Sequence, residues 1–133
     1  MSPFKLAPLA AVAALGLLPI GASAQSDQGS VIAVELSEYK FTPSEIVLDA
    51  GKHYVFRLTD SGKRNHDLEA KAFFQTVTLD PESASAVKDG DVDLTPGVTA
   101  DVGFTPKTAG TFEMHCTHPF HAMLGMKGRI VVR

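Results

Sequence analysis

Residues 110–133 read "GTFEMHCTHPFHAMLGMKGRIVVR", with two strand-like runs on either side of a loop rich in sulfur and imidazole. Residues 110–116 alternate between apolar and polar side chains and residues 128–133 are rich in β-branched side chains, so both runs predict strands. Between them, residues 115–126 contain the chain's only cysteine, three of its five histidines and two of its four methionines. Thiolate, imidazole and thioether groups are soft metal ligands, and this loop is therefore a candidate metal site.

Strand alternation predicts the direction in which the cysteine points. Phe112, Met114 and Cys116 fall on one face of the first run, and His115 falls on the other. Cys116 therefore leaves the strand on the apolar, inward side. The chain must then turn back before the last strand, and the turn carries four further candidate ligands: His118, His121, Met123 and Met126.

The types of ligand favour copper. Mg²⁺, Ca²⁺ and Mn²⁺ prefer oxygen ligands. Structural zinc sites usually have four cysteine or histidine ligands, catalytic zinc sites keep a water, and thioether is typical of neither. One cysteine, two histidines and a weak axial methionine form the ligand set of electron-transfer copper sites. That set needs a second imidazole from outside the loop, and His66, in the predicted strand "NHDLEA" (65–70), is the candidate.

The remainder of the chain also reads as short strands. Runs of β-branched or alternating residues recur between turn residues, which predicts an antiparallel sandwich or barrel of about eight strands. Besides the two C-terminal runs, the predicted strands are residues 31–36, 45–51, 53–59, 65–70, 73–79 and 98–104. One segment, "DPESASAVKDG" (80–90), predicts a short helix, with Asp80 as N-cap, Pro81 in the first turn and Gly90 just past the end.

The N-terminal residues predict export. Residues 6–20 are uncharged and rich in alanine and leucine, and they precede "GASA" (21–24), a small-residue cleavage pattern. At about 15 residues, this run is shorter than the roughly 20 residues of a membrane-spanning helix. We therefore expect a secretory signal peptide at residues 1–24, a periplasmic mature protein without a membrane span, and a single domain at residues 25–133.

Charge and cysteine content exclude several classes of protein. A formal net charge of −3 without a run of lysine or arginine argues against nucleic acid and anionic lipid as partners. A single cysteine cannot form an internal disulfide, a CxxC redox pair or a CxxCH haem attachment. Because thiols of exported proteins tend to be oxidised, a lone cysteine there is buried, paired with another chain, or held by a ligand.

Together these motifs resemble the cupredoxin family of type 1 blue copper proteins, in particular its small, single-domain, plastocyanin- and azurin-like members. The resemblance rests on "NHDL", on "AGTFEMHC", and on the spacing Cys-x4-His-x4-Met at residues 116–126, followed by Lys-Gly and "RIVV". It implies an all-β, Greek-key antiparallel β-sandwich that binds one mononuclear copper ion. The ligands that it implies are His66, Cys116, His121 and Met126.

The residues beside the first histidine depart from the family's usual pattern. Many members have asparagine directly after this ligand, where it ties the two ligand loops together. Here Asn65 precedes His66, and Asp67 follows it. We therefore predict that Asp67 or Asn65 forms a hydrogen bond at Thr117, next to the cysteine, and so holds the thiolate loop.

The loop also holds more candidate ligands than the site needs. His118 is an alternative to His121 or an additional ligand, and Met123 is the alternative to Met126. By strand alternation, His115 faces away from the copper side.

The resemblance implies a periplasmic carrier that shuttles single electrons between redox partners. Electrons would pass through His121, and a transient redox protein partner would dock on the apolar residues around it. This collar comprises Pro119, Phe120, Ala122, Met123 and Leu124. We expect a monomer without enzymatic activity, because the sequence offers no second metal site and no pattern for binding a substrate.

Two alternative functions stay open. Spare histidine and methionine residues would suit a periplasmic protein that sequesters copper and confers copper tolerance. Loops of the form "CTH…HA…GM" also resemble small cupredoxins encoded beside ferrous-iron permeases, which suggests a redox helper of a ferrous-iron uptake system.

Overall fold

The computed structural model describes Pro3 and residues 29–133. The predicted signal peptide lies outside these residues, apart from Pro3. The described chain forms ten strands, one single-turn α-helix and one 3-10 turn. Their bounds are β1 Ser30–Ser37, β2 Lys40–Thr42, β3 Glu45–Leu48, β4 Tyr54–Asp60, β5 His66–Glu69, α1 Lys71–Phe74, β6 Val77–Leu79, the 3-10 turn Pro81–Ser83, β7 Asp91–Leu94, β8 Thr99–Pro106, β9 Gly110–His115 and β10 Lys127–Val132. Within this part of the chain, no helix is long and apolar enough to cross a membrane.

The strands form two five-stranded sheets that pack as a sandwich, as predicted. Sheet 1 has the order β2-β1-β4-β8-β6, and sheet 2 has the order β3-β10-β9-β5-β7. Most neighbouring strands are antiparallel, but β1 pairs with β4 and β3 pairs with β10 in parallel. Parallel neighbours cannot be joined by a tight hairpin, and the chain accordingly passes through sheet 2 at β3 between β1 and β4.

The strand count exceeds the prediction by two short strands. Lys40–Thr42 and Asp91–Leu94 have only three and four residues, so neither is long enough to display a clear period of two. Each lies at the edge of its sheet. Pairing with a longer neighbouring strand, rather than local sequence, therefore defines these strands.

The segment predicted as a strand at residues 73–79 is part helix. Lys71–Phe74 form α1, and only Val77–Leu79 continue as a strand. Phe73 and Phe74 are both buried. Consecutive residues of a strand point to opposite faces, whereas a helical turn can direct two adjacent side chains towards one core.

The helix predicted at residues 80–90 is wrong beyond its first turn. Pro81 does lie in the first turn, but the helical conformation ends with the 3-10 turn at Ser83. The Asp80 side chain makes no capping hydrogen bond. Its carboxylate instead contacts Nε2 of His53 at 2.8 Å, so the predicted cap is engaged in a tertiary contact.

The core lies between the two sheets and is rich in aromatic side chains. On β4, Tyr54, Phe56 and Leu58 are buried while the residues between them face outwards. Full burial of each such side chain contributes about 1.5–3 kcal/mol. Phe73 from α1 lies over this layer, with ring centroids 6.1 Å from Phe56 and 5.3 Å from Phe104.

Sheet 2 places the candidate ligands at one end of the sandwich. β5 begins at His66, and β9 ends one residue before Cys116. These strands are antiparallel neighbours, with Glu69 opposite His115. The start of β5 therefore lies beside the loop that leaves β9.

Candidate metal centre

Three of the predicted ligands form a compact, buried cluster. One ligand atom each from His66, Cys116 and His121 lies within 4.8 Å of the other two. Cys116 Sγ is 3.4 Å from His121 Nδ1. The three residues are 0%, 1% and 7% exposed, respectively. The fold therefore brings a thiol and two imidazoles to one point that solvent hardly reaches.

The β9–β10 loop is held by backbone hydrogen bonds that include Met126. The Cys116 N–H donates to the Met126 carbonyl oxygen at 3.2 Å, and the Met126 N–H donates to the His121 carbonyl oxygen at 3.0 Å. Met126 is fully buried. At Gly125, φ is 107°, a left-handed conformation that favours glycine and lets the chain turn back towards Met126. These bonds place Met126 next to the other two loop residues of the cluster.

The imidazole of His66 has one nitrogen ready for a metal. Among the described residues, none forms a hydrogen bond with its buried Nδ1. An unpaired buried polar atom is costly, and such exceptions often mark a functional role or an absent ion. Its other nitrogen, Nε2, lies 3.4 Å from Glu38 Oε1. The side chains present thus fit a bound metal ion.

Asp67 ties the two ligand-bearing segments together. The Thr117 N–H donates to Asp67 Oδ1 at 2.6 Å, and the Thr117 hydroxyl donates to Asp67 Oδ2. Asp67 is buried, whereas Asn65 on the other side of His66 is exposed. Of the two residues proposed for the hydrogen bond at Thr117, Asp67 is the one that forms it.

The remaining histidines of this region are engaged elsewhere. His118 Nε2 lies 2.9 Å from Asp93 Oδ1, and its ring centroid is 5.7 Å from that of His121. His118, Asp67 and Asp93 form a second group whose ligand atoms lie within 4.8 Å of one another. His115 Nε2 lies 3.2 Å from a carboxylate oxygen of Glu69. Met123, the alternative sulfur ligand, is exposed.

Burial controls the protonation of the cluster in the absence of metal. It raises the pKa of the Cys116 thiol to about 12, and the backbone N–H groups of Asp67 and His118 oppose this rise only in part. Burial also lowers the pKa of His121, and the nearby positive charges of His66 and His118, when protonated, lower it further. In the metal-free protein the Cys116 thiol is therefore protonated at neutral pH, and it must lose its proton to bind a metal.

Two residues of the turn between β1 and β2 also contact the site, and sequence reasoning did not identify them. Glu38 contacts His66. The Tyr39 ring lies 4.9 Å from that of His121 and meets the His66 ring edge-on at 6.5 Å. These residues are separated from the loop by most of the chain, and their turn carries no metal-site motif. In the structure Gly62 lies against the contact between Glu38 and His66: a β-carbon there would lie 2.7 Å from His66 Nε2 and 2.8 Å from Glu38 Oε1.

A buried cysteine with two histidines and an adjacent methionine, at one end of a two-sheet sandwich, defines the class of mononuclear type 1 copper proteins. The chain belongs to the cupredoxin-like domain family, whose family model matches residues 8–132. Copper is the metal of this family. The described His–Cys–His cluster, with Met126 beside it, is consistent with a type 1 site.

A similar curated protein is the copper-resistant cuproprotein CopI from Rubrivivax gelatinosus. It is 28% identical over 112 residues, which cover 80% of this chain and 67% of CopI.

Solved blue copper proteins share the fold. Dithionite-reduced auracyanin from Roseiflexus castenholzii superposes with a TM-score of 0.59 at 20% identity, over 78% of this chain and 97% of that one. Auracyanin A from Chloroflexus aurantiacus, described as a "blue" copper protein, gives a TM-score of 0.55 at 20% identity, over 77% of this chain and 98% of that one. At this identity the likeness establishes the sandwich architecture.

Proposed function

We propose that the protein is a periplasmic one-electron carrier with a single type 1 copper ion. The observation that carries this proposal is the buried cluster of His66, Cys116 and His121. In this proposal Nδ1 of each histidine and Sγ of Cys116 would hold the ion, with the thioether of Met126 as a weaker ligand. Bound copper would supply exchange between Cu(I) and Cu(II), which such a ligand set supports.

The protein's contribution is to keep the ligands in place whichever charge the ion carries. The backbone bonds of Met126 to Cys116 and His121 fix the loop from within. The Asp67 carboxylate fixes it to β5 through Thr117. Burial of the cluster excludes water that would otherwise add to the coordination shell. Little rearrangement then accompanies the gain or loss of one electron.

The collar around His121 is the proposed docking surface for a redox partner. Three of its apolar side chains are strongly exposed: Phe120 at 71%, Met123 at 79% and Leu124 at 57%. His121 itself is buried but lies within this loop, so a partner seated on the collar would come next to a ligand ring. Transient redox complexes use small surfaces of this kind. A monomer that presents one collar, without enzymatic activity, suits this role.

The proposal includes export and a single domain. Residues 1–24 would act as the signal peptide, and residues 25–133 would form the copper-binding domain in the periplasm. An oxidising compartment threatens an unprotected thiol. Cys116 is only 1% exposed, and burial together with coordination to copper would protect its thiol from oxidation there.

A second candidate function is copper sequestration in copper tolerance. Two observations favour it: the similarity to the copper-resistant cuproprotein CopI, and the presence of an exposed Met123 and a partly exposed His118 in the same loop. In this role the site would retain Cu(I) rather than cycle between two oxidation states.

The visible and EPR spectra of the copper-loaded protein test the copper site. We expect one copper per chain and an intense thiolate-to-copper absorption band. Cys116→Ser should abolish the band. His118→Ala should leave it nearly intact, because His118 is engaged by Asp93. Loss of the band in both variants would mean that the ligand set is wrong.

Redox measurements separate the carrier from the sequestering protein. Reversible voltammetry and fast electron self-exchange support the carrier. A colourless Cu(I) form that resists oxidation contradicts the carrier and supports sequestration.

A further inference from the structure

We propose that Glu38 is a positioning residue of the copper centre, whose carboxylate holds the outer nitrogen of His66 and biases the site towards Cu(II). This inference rests on the proposed function, because it requires copper at Nδ1 of His66. It concerns a turn that lies apart from the ligand loop and contributes no ligand itself.

The Glu38 carboxylate reaches His66 from the solvent side of the cluster. Its Oε1 lies 3.4 Å from Nε2 of His66. The same oxygen accepts the backbone N–H groups of Lys63 at 2.6 Å and of Arg64 at 2.9 Å. The imidazole is fully buried, whereas Glu38 is partly exposed. One oxygen of Glu38 thus accepts hydrogen bonds from the polar loop before β5 (residues 61–65) and also contacts the His66 ring.

Gly62 leaves the space in which the Glu38 carboxylate and the His66 imidazole meet. A β-carbon at Gly62 would lie 2.7 Å from His66 Nε2 and 2.8 Å from Glu38 Oε1. A real β-carbon would have to displace one of the two groups. Glycine at this position therefore keeps the carboxylate and the imidazole in contact.

The contact assigns the two nitrogens of His66 different tasks. A neutral imidazole carries its proton on one nitrogen and a lone pair on the other. A carboxylate at Nε2 retains the proton there, and this leaves the lone pair on Nδ1, the buried nitrogen that has no partner among the described residues. A hydrogen bond of this kind fixes the tautomer and ring orientation of a ligating histidine and raises its basicity as a ligand.

The carboxylate carries its charge at ordinary pH. A glutamate carboxylate is ordinarily ionised at neutral pH, and the backbone N–H groups of Lys63 and Arg64 donate hydrogen bonds to it. A negative charge behind the ligand stabilises the more positive Cu(II) state more than Cu(I). The reduction potential is therefore lower than it would be with a neutral group at position 38.

Glu38→Gln in the copper-loaded, full-length protein tests the inference. The amide oxygen can still accept the two backbone N–H groups, but the charge is gone. Mutation of such an outer partner of a ligating histidine typically changes metal affinity by about 10-fold or more. We expect about a tenfold loss of the preference for Cu(II) over Cu(I), which voltammetry records as a rise of about 59 mV for one electron.

Glu35→Gln is the matched control. It removes the same charge from a neighbouring position, where Glu35 Oε1 accepts the hydroxyl of Ser61 in the same polar loop but does not contact His66. The potential of this variant should stay near that of the parent protein. Equal shifts in the two variants, or no shift in Glu38→Gln, overturn the inference.

A second measurement needs no variant. In ¹⁵N NMR spectra of the metal-free protein at a pH where His66 is neutral, its proton should reside on Nε2; a proton on Nδ1 overturns the inference.

The visible spectrum of the copper-loaded parent protein distinguishes this failure from failure of the proposed function. If the thiolate-to-copper band is absent, copper binding fails; if it is present with an unchanged Glu38→Gln potential, only the role of Glu38 fails.

Discussion

At the scale of single residues, the nitrogen with which each histidine meets a carboxylate determines whether its ring can also bind a metal. His118 and His115 have the right chemistry to bind a metal, yet each lies against a carboxylate, Asp93 and Glu69 respectively. His66 also meets a carboxylate, but with its outer nitrogen, and its inner nitrogen stays free among the described residues. The contacts of each ring, and not its residue type, therefore separate candidate ligands from bystanders.

Asp67→Ala should weaken both the fold and the copper spectrum. The substitution removes a charged acceptor from Thr117, and hydrogen bonds to charged groups contribute about 1.5–3 kcal/mol. The free energy of unfolding, measured by denaturant titration, should fall by about that amount, and the visible band should shift because the thiolate loop loosens. Asn65→Ala alters an exposed neighbour of His66 and should change neither quantity. If Asp67→Ala and Asn65→Ala had the same stability and the same visible spectrum, the role assigned to Asp67 would be wrong.

Asp91 should make stability depend on pH in the direction opposite to that of an ordinary paired carboxylate. Burial, followed by the negative charges of Asp67, Asp93 and Glu69, raises the pKa of Asp91 from 3.8 to about 6. Between pH 3.8 and about pH 6, the Asp91 carboxyl group is ionised in the unfolded chain but still protonated in the folded protein. The free energy of unfolding therefore falls as the pH rises through this range, and the loss is complete above about pH 6.

Asp91→Asn removes that penalty. The midpoint of thermal unfolding should therefore rise at pH 7.5 and change little near pH 4. Glu113→Gln, at an exposed position on β9, is the control and should show no such dependence on pH. A gain in Asp91→Asn that is equal at both pH values would show that charge is not its cause.

At the scale of secondary-structure elements, the β9–β10 loop could be predicted and the β1–β2 turn could not. The loop's candidate ligands are close in sequence and strand alternation predicts the direction of Cys116, so their residue types and spacing together indicate a metal site. Glu38 and Tyr39 reach the site only because β1 and β5 lie in facing sheets. The helix at Lys71–Phe74 was missed for a related reason, since core packing of Phe73 and Phe74 overrides an apparent strand pattern.

Charge placed on the collar should slow electron exchange without disturbing the metal. Leu124→Lys puts a positive charge on the apolar surface, and two such surfaces repel when two copies meet. We expect the self-exchange rate, measured by NMR line broadening, to fall about tenfold, equivalent to about 1.4 kcal/mol. The visible spectrum should stay unchanged. Val31→Lys, at an exposed position on β1, should leave the rate as it is; an equal effect would place the contact outside the collar.

At the scale of the whole molecule, Phe73 connects the two sheets. Its ring lies 5.3 Å from Phe104 of sheet 1 and 5.7 Å from Phe112 of sheet 2. The spacing of short strands predicted a sandwich or a barrel, and the family resemblance implied the two-sheet sandwich. The contacts across the sandwich could not, because they join side chains that are distant in sequence and follow no local pattern.

Phe73→Ala should therefore be among the costly core substitutions. Removal of a buried phenylalanine leaves a cavity and costs about 3–5 kcal/mol. The matched variant Phe120→Ala removes the same side chain from an exposed position, where we expect a change within about 0.5 kcal/mol. Denaturant unfolding of the two variants measures both values. A small loss for Phe73→Ala would mean that the sheets pack without its support.

The parallel pairing of β10 with β3 links copper binding to folding. Arg129 lies opposite Glu45, so sheet 2 stays incomplete until two segments 84 residues apart in the sequence have paired. Contacts between such distant positions form late and slowly in folding. An unfolded chain would thus present separate histidines and a cysteine but no pocket, and copper binding at this site would depend on closure of the sandwich.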